Sequence, residues 1–118
     1  MKLLLKLVAL AILVVNIGCQ TTIAPDADPV VVKSQQALEI SLAITDKFVA
    51  WERKNQKVVS PEVHAIAETL RKEFPPVFGI AMNLLKQYKA SRDPETRRLL
   101  NNYVLQVKNY STLAQNAQ

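Results

Sequence analysis

The sequence predicts an all-α fold, a three-helix antiparallel bundle of up-down-up order whose second helix is kinked at Pro75/Pro76. Three observations predict it. Apolar residues recur at helical spacing from Val30 almost to the C-terminus. Two helix-start signals, Ser60-Pro61-Glu62 and Asp93-Pro94-Glu95, divide that stretch into three. Glycine is nearly absent, with 2 in 118 residues, and no strand candidate of useful length lies outside the N-terminal segment. Short turns near Gln56 to Val59 and at Ser91 to Arg92 then make successive helices antiparallel neighbours.

The first helix begins at Val30. At 100° per residue, Val30, Val31, Leu38, Leu42, Phe48 and Val49 line one stripe. Ala37, Ile40, Ile44 and Trp51 line the stripe beside it, while Glu39, Asp46 and Arg53 face away. That arc is wide enough for two neighbours, as a bundle requires, although a self-associating helix carries the same pattern.

The second helix opens with Ser60 as N-cap, Pro61 in the first helical position and Glu62 against the positive dipole end. Its stripe is Val63, Ile66, Ala67, Leu70 and Phe74. Pro75 and Pro76 remove two backbone donors, so a break is the default expectation. Yet the stripe continues in phase through Val77, Ala81, Leu84, Leu85 and Tyr88, with the prolines opposite it. One kinked helix from about residue 61 to 90 is therefore expected, with two shorter helices as the alternative. In the third helix, capped by Asp93, the inward stripe is Leu100, Tyr103, Val104, Val107, Tyr110, Ser111 and Ala114.

Ahead of the helices lies a different kind of segment. Lys2 and Lys6 open the chain, and Leu7 to Val15 contains no polar residue, which is the order of a basic n-region and an apolar h-region. Leu7 to Cys19 would span about 20 Å as helix, short of a hydrocarbon core of about 30 Å. The stretch Val14-Val15-Asn16-Ile17-Gly18-Cys19 resembles the lipobox of bacterial prolipoproteins. Gly18 and Cys19 match that pattern, and Asn16 departs from the aliphatic residue usual three positions before the cysteine. The resemblance implies cleavage before Cys19 and acylation of that residue. Because Gln20 is not the aspartate associated with inner-membrane retention, it also implies an outer-membrane rather than inner-membrane address, on the periplasmic side. Ordinary secretion, with Thr22 and Ala24 as the small-residue pair ahead of a cut that leaves Pro25 first, and an uncleaved anchor are the alternatives.

The expected organisation is then a signal peptide over residues 1–18, a lipidated cysteine and flexible tether over 19–29, and a helical domain over 30–118. Cys19 is the only cysteine, so no intrachain disulfide and no thiolate metal site can form. Without Lys2 and Lys6, thirteen cations face ten acids, a net charge of +3 rather than the +5 of the whole chain. That balance, in that compartment, argues against nucleic acid as a partner.

The motifs of common chemistries are missing. His64 is the sole histidine, and one turn from it lies Glu68, itself one turn from Lys72, which reads as a solvated ladder rather than a catalytic group. No G-x-S-x-G, phosphate loop or metal-ligand spacing occurs, and Glu62, Glu68 and Glu73 scatter around the polar face. No catalytic residue, cofactor or metal is expected.

Two basic clusters remain. Arg53, Lys54 and Lys57 close the first helix, where the dipole favours cations. Lys86, Lys89, Arg92, Arg97 and Arg98 gather around the second turn; the dipole at the end of the second helix accounts for Lys86 to Arg92 without a ligand but not for Arg97 and Arg98, and the patch of five suits anionic headgroups or an acidic partner. Trp51, and Leu105 on the outer side of the third helix, are candidates for exposed apolar contacts, with Trp51 the better choice for an interface. Two functional classes fit. One is a non-enzymatic envelope lipoprotein, held to the membrane by its lipid, whose helices bind another envelope protein or a cell-wall component. The other is a phage- or prophage-encoded lipoprotein acting in lysis or superinfection exclusion, suggested by small size and simple helical composition.

Overall fold

A computed structural model describes residues 28–118. They form three α-helices, α1 (Pro29–Lys54), α2 (Pro61–Ser91) and α3 (Pro94–Asn116), with no strand among the described residues. Each helix packs against both others. No helix among the described residues is long and apolar enough to cross a membrane.

The same device starts all three helices. A side-chain oxygen of Asp28, Ser60 or Asp93 accepts from a first-turn amide, that of Val30, Val63 or Thr96, and a proline follows each cap. Proline fits there because its missing N–H would find no partner in a first turn. The expected tether ended at Pro29, but Asp28 and Pro29 belong to α1 as its cap and first residue. Between α2 and α3, Arg92 takes the left-handed conformation at φ 54°, and its N–H closes on the Tyr88 carbonyl at 2.8 Å. This position usually goes to glycine, since a Cβ is disfavoured there.

In α2 and α3 the core follows the expected stripes. Ala67, Leu70, Phe74, Ala81, Leu84, Leu85 and Tyr88 are buried in α2, as are Leu100, Val104, Val107, Ser111 and Ala114 in α3. Helix α2 runs uninterrupted through Pro75 and Pro76, whose side chains are exposed. Just before them, Phe74 is buried, stacked on Phe78 at 5.5 Å and edge-on to Tyr110 at 6.2 Å.

Helix α1 differs from its expected faces. Its buried line is Ser34, Leu38, Ser41, Thr45, Phe48 and Glu52, and Ile40 is 60% exposed; Trp51, expected as an exposed apolar contact, is 41% exposed. The buried positions alternate by four and three, a heptad spacing. A wheel drawn at 3.6 residues per turn drifts by about 20° per heptad from such a seam. From Ser34 to Glu52 that drift is small enough to keep the line within the first expected stripe, where Leu38 and Phe48 lie; the faces differ because Ser34, Ser41, Thr45 and Glu52 are polar and carry no apolar signal. The buried line of α3, positions 100, 104, 107, 111 and 114, keeps the same alternation.

Candidate functional site

Polar side chains gather at the two ends of α1, about 39 Å apart at 1.5 Å per residue. At its first end, Asp28 serves more than its own cap. Its Oδ1 accepts from the Val30 amide at 2.8 Å, and its Oδ2 accepts from the Tyr88 hydroxyl and the Arg92 guanidinium, each at 2.7 Å. Arg92 also lies over the Tyr88 ring, 5.5 Å from its centre. The hydrogen bond from Tyr88, followed by that from Val30, holds the Asp28 carboxyl below its ordinary range despite partial burial. By the same bond the Tyr88 hydroxyl is raised.

This cluster places the start of α1 inside the basic patch expected around the second turn. Lys86, Lys89, Arg92, Arg97 and Arg98 are all exposed. Arg92 is paired with Asp28 and Arg98 with Glu95 across one turn of α3. That bond to Arg98 lowers the Glu95 carboxyl. Lys86, Lys89 and Arg97 form no ion pair among the described residues. Arg97 sits three residues before Leu100 on the core line of α3, and its charge acts on Tyr88.

At the other end, the Glu52 side chain has no exposed surface. His64 Nδ1 lies 2.8 Å from one of its oxygens and Arg71 donates to the other at 3.0 Å. A carboxylate only accepts, so His64 carries its proton on Nδ1. Burial pushes the Glu52 carboxyl up, but the bonds from His64 and Arg71 outweigh it and leave the group below its usual range. Arg71 also pairs with Glu68. The expected ladder from His64 through Glu68 to Lys72 is therefore not what forms: His64 reaches across to α1, and Glu68 turns to Arg71. The physical reason is that a buried carboxylate needs compensating donors far more than an exposed one does.

The three expected outer carboxylates stay apart. Glu68 is bound to Arg71, Glu73 accepts from the Tyr110 hydroxyl at 2.9 Å, and Glu62 stands exposed at the start of α2. Among the described residues no three His, Cys, Asp or Glu side chains are grouped closely enough to hold a metal ion. Trp51 packs its ring on Phe48 at 6.1 Å with its outer side in solvent. Leu105 is exposed by 54%. An open groove between α1 and α3 is lined by Ala37, Ile40, Ser41, Ile44, Ser111 and Thr112, with Lys33 and Lys108 at its edges. Cys19 lies outside the described residues.

Sequence reasoning missed Asp28 and Glu52. For Asp28 the signal was present, because Asp28-Pro29 repeats the start of Ser60-Pro61 and Asp93-Pro94. For Glu52 the signal was its place in the heptad line with Leu38, Thr45 and Phe48. These features define a small three-helix protein with a basic end at the root of its N-terminal segment and a buried ion cluster at the opposite end. No family model, curated protein or solved structure matches the chain.

Proposed function

We propose that this chain is a small, non-enzymatic envelope lipoprotein. In this reading a lipid on Cys19 holds it on the periplasmic side of the outer membrane, and the helices form a binding or structural module for another envelope protein or a cell-wall component. The observation that carries the proposal is Gly18-Cys19 placed directly after a lysine-led apolar run, with that cysteine the only one in the chain. Several acyl chains hold a protein stably where one holds it marginally. The membrane attachment of this reading rests on residue 19, since the described helices do not themselves span.

Within this reading the bundle is up-down-up and antiparallel. Support comes from the pairing of ends: the start of α1 meets the end of α2 through Asp28 and Tyr88, and the end of α1 meets the start of α2 through Glu52 and His64. A bend in α2 at Pro75/Pro76 is part of the same proposal, because those prolines leave the carbonyls of Arg71 and Lys72 without their helical donors.

Mass spectrometry of the mature protein extracted from membranes tests the function. A polypeptide beginning at Cys19 and carrying acyl groups is the expected result. A native chain that begins at Met1 or Pro25 without acylation overturns it.

A further inference from the structure

We infer that the end of the bundle formed by the start of α1 and the turn between α2 and α3 is a second, electrostatic membrane contact, which docks on anionic phospholipid headgroups. The inference rests on the anchored reading above and adds an orientation to it. Where the chain enters the bundle carries the argument. Asp28 is bonded to Tyr88 and Arg92, so the root of the N-terminal segment lies within the basic patch rather than at the far end.

Chain length then limits how far that patch can stand from a bilayer. From Cys19 to Asp28 a fully extended backbone reaches at most about 30 Å. The far end of α1 lies about 39 Å beyond its start. A lipid on Cys19 therefore holds the patch at high local concentration over the headgroups, and keeps the Glu52 end farther away on average.

Charge complementarity supplies the attraction. Lys33 in the second turn of α1, Lys86, Lys89, Arg92, Arg97 and Arg98 share this end with Asp28, Asp93 and Glu95, leaving three positive charges in excess there. The starts of α1 and α3 bring two positive dipole ends here, against one negative end from α2. Lys86, Lys89 and Arg97 are already without ion-pair partners among the described residues. Arg92, half exposed beside Asp28, presents guanidinium hydrogens that lipid phosphates can share. Such attraction acts within a Debye length of the surface and is screened by salt.

The opposite end has cations too, Arg53, Lys54 and Lys57, and exposes Trp51 and Val58 beside them. In a docked molecule that end points away from the bilayer and is free for the protein or cell-wall partner. Its lysines serve as an internal reference for the experiment.

The protein recovered from membranes is reconstituted into vesicles of phosphatidylcholine, with or without phosphatidylglycerol, and treated briefly with an amine-reactive reagent. Peptide mass spectrometry reads the modification of each lysine and, in the same sample, the acylation of Cys19. Lys86 and Lys89 should react several-fold more slowly in the anionic vesicles than in the neutral ones, while Lys54 and Lys57 react alike in both. High salt, or the substitution R97Q, should lessen the protection. Equal rates for Lys86 and Lys89 in the two lipids overturn the inference, and the patch is then left for an acidic protein partner. Protection centred on Lys54 and Lys57 overturns it as well. A spectrum without acyl groups defeats the anchored reading alone, and the lysine ratios still decide the headgroup contact.

Discussion

Replacing Thr45 with valine should stabilise the protein, although it removes a polar group from a helix. Thr45 lies in the buried line of α1 between Ser41 and Phe48 and is 2% exposed. Its Oγ1 finds no hydrogen-bond partner among the described residues. Valine has nearly the same shape and a similar helix propensity, so the change exchanges an unpaired hydroxyl for a methyl and little else. A buried polar group without a partner costs about 1–3 kcal/mol. Recovering about 1–2 kcal/mol of that, at roughly 4–8 °C per kcal/mol for a domain of this size, raises Tm by about 4–16 °C. Circular dichroism at 222 nm during heating, with urea unfolding alongside, reads the change. Thr112→Val is the control, because the Thr112 hydroxyl is exposed and already donates to the Lys108 carbonyl at 3.0 Å, so no gain is expected. An unchanged or lowered Tm for T45V refutes the reasoning. It would show that the hydroxyl bonds a carbonyl one turn earlier and is satisfied in solution.

Leu100→Ala should cost about 2–5 kcal/mol, since its side chain is fully buried in the main core. Against a total stability of about 5–14 kcal/mol for the described residues, that is close to unfolding, whereas L105A on the exposed side of α3 should change stability by less than about 0.5 kcal/mol in the same urea titration. Stability should also form a plateau in pH, read as the urea midpoint at fixed temperature. The Asp28, Glu52 and Glu95 carboxyls are lowered in the fold, so their contribution is present above the ordinary carboxylate range and is lost as pH falls below about 4. Tyr88 and Tyr110 are raised by Asp28 and Glu73, so theirs is present below about pH 10 and is lost above it. A midpoint that rises on acidification below pH 4 would contradict those assignments.

Legibility varied along the chain for a physical reason. In α2 and α3 the buried lines are built largely of apolar side chains, so a pattern of hydrophobic residues and the core coincide. Helix α1 buries Ser34, Ser41, Thr45 and Glu52, and leaves Ile40 in solvent. A hydrophobicity pattern cannot register a polar core position, and only the heptad spacing marks it. The clusters at the two ends were harder still. Tyr88 was legible as a core residue, but its bond to Asp28 joins positions 60 residues apart. His64 and Glu68 are separated by one helical turn, a spacing that suggests a pair, yet a buried carboxylate on another helix takes the histidine.

The double proline in α2 shows how packing overrides local preference. A proline in a helix interior costs about 3 kcal/mol or more, and two in succession read as a stop. The cost is limited here by where the side chains fall. Pro75 and Pro76 are exposed, so the carbonyls that lose their donors are not held in the dry core. The other side of the helix gives the reason to continue. Phe74 lies just before the prolines, and Ala81, Leu84, Leu85 and Tyr88 beyond them are buried against α1 and α3. Each fully buried large apolar side chain contributes about 1.5–3 kcal/mol, so a break that withdrew the second half of α2 would forfeit several such contributions to relieve two local strains. The same break would separate Tyr88 and Arg92 from Asp28. Continuity of the helix through residues 75 and 76 is thus a requirement of the core on both sides of them, and of the contact that joins the start of α1 to the basic turn.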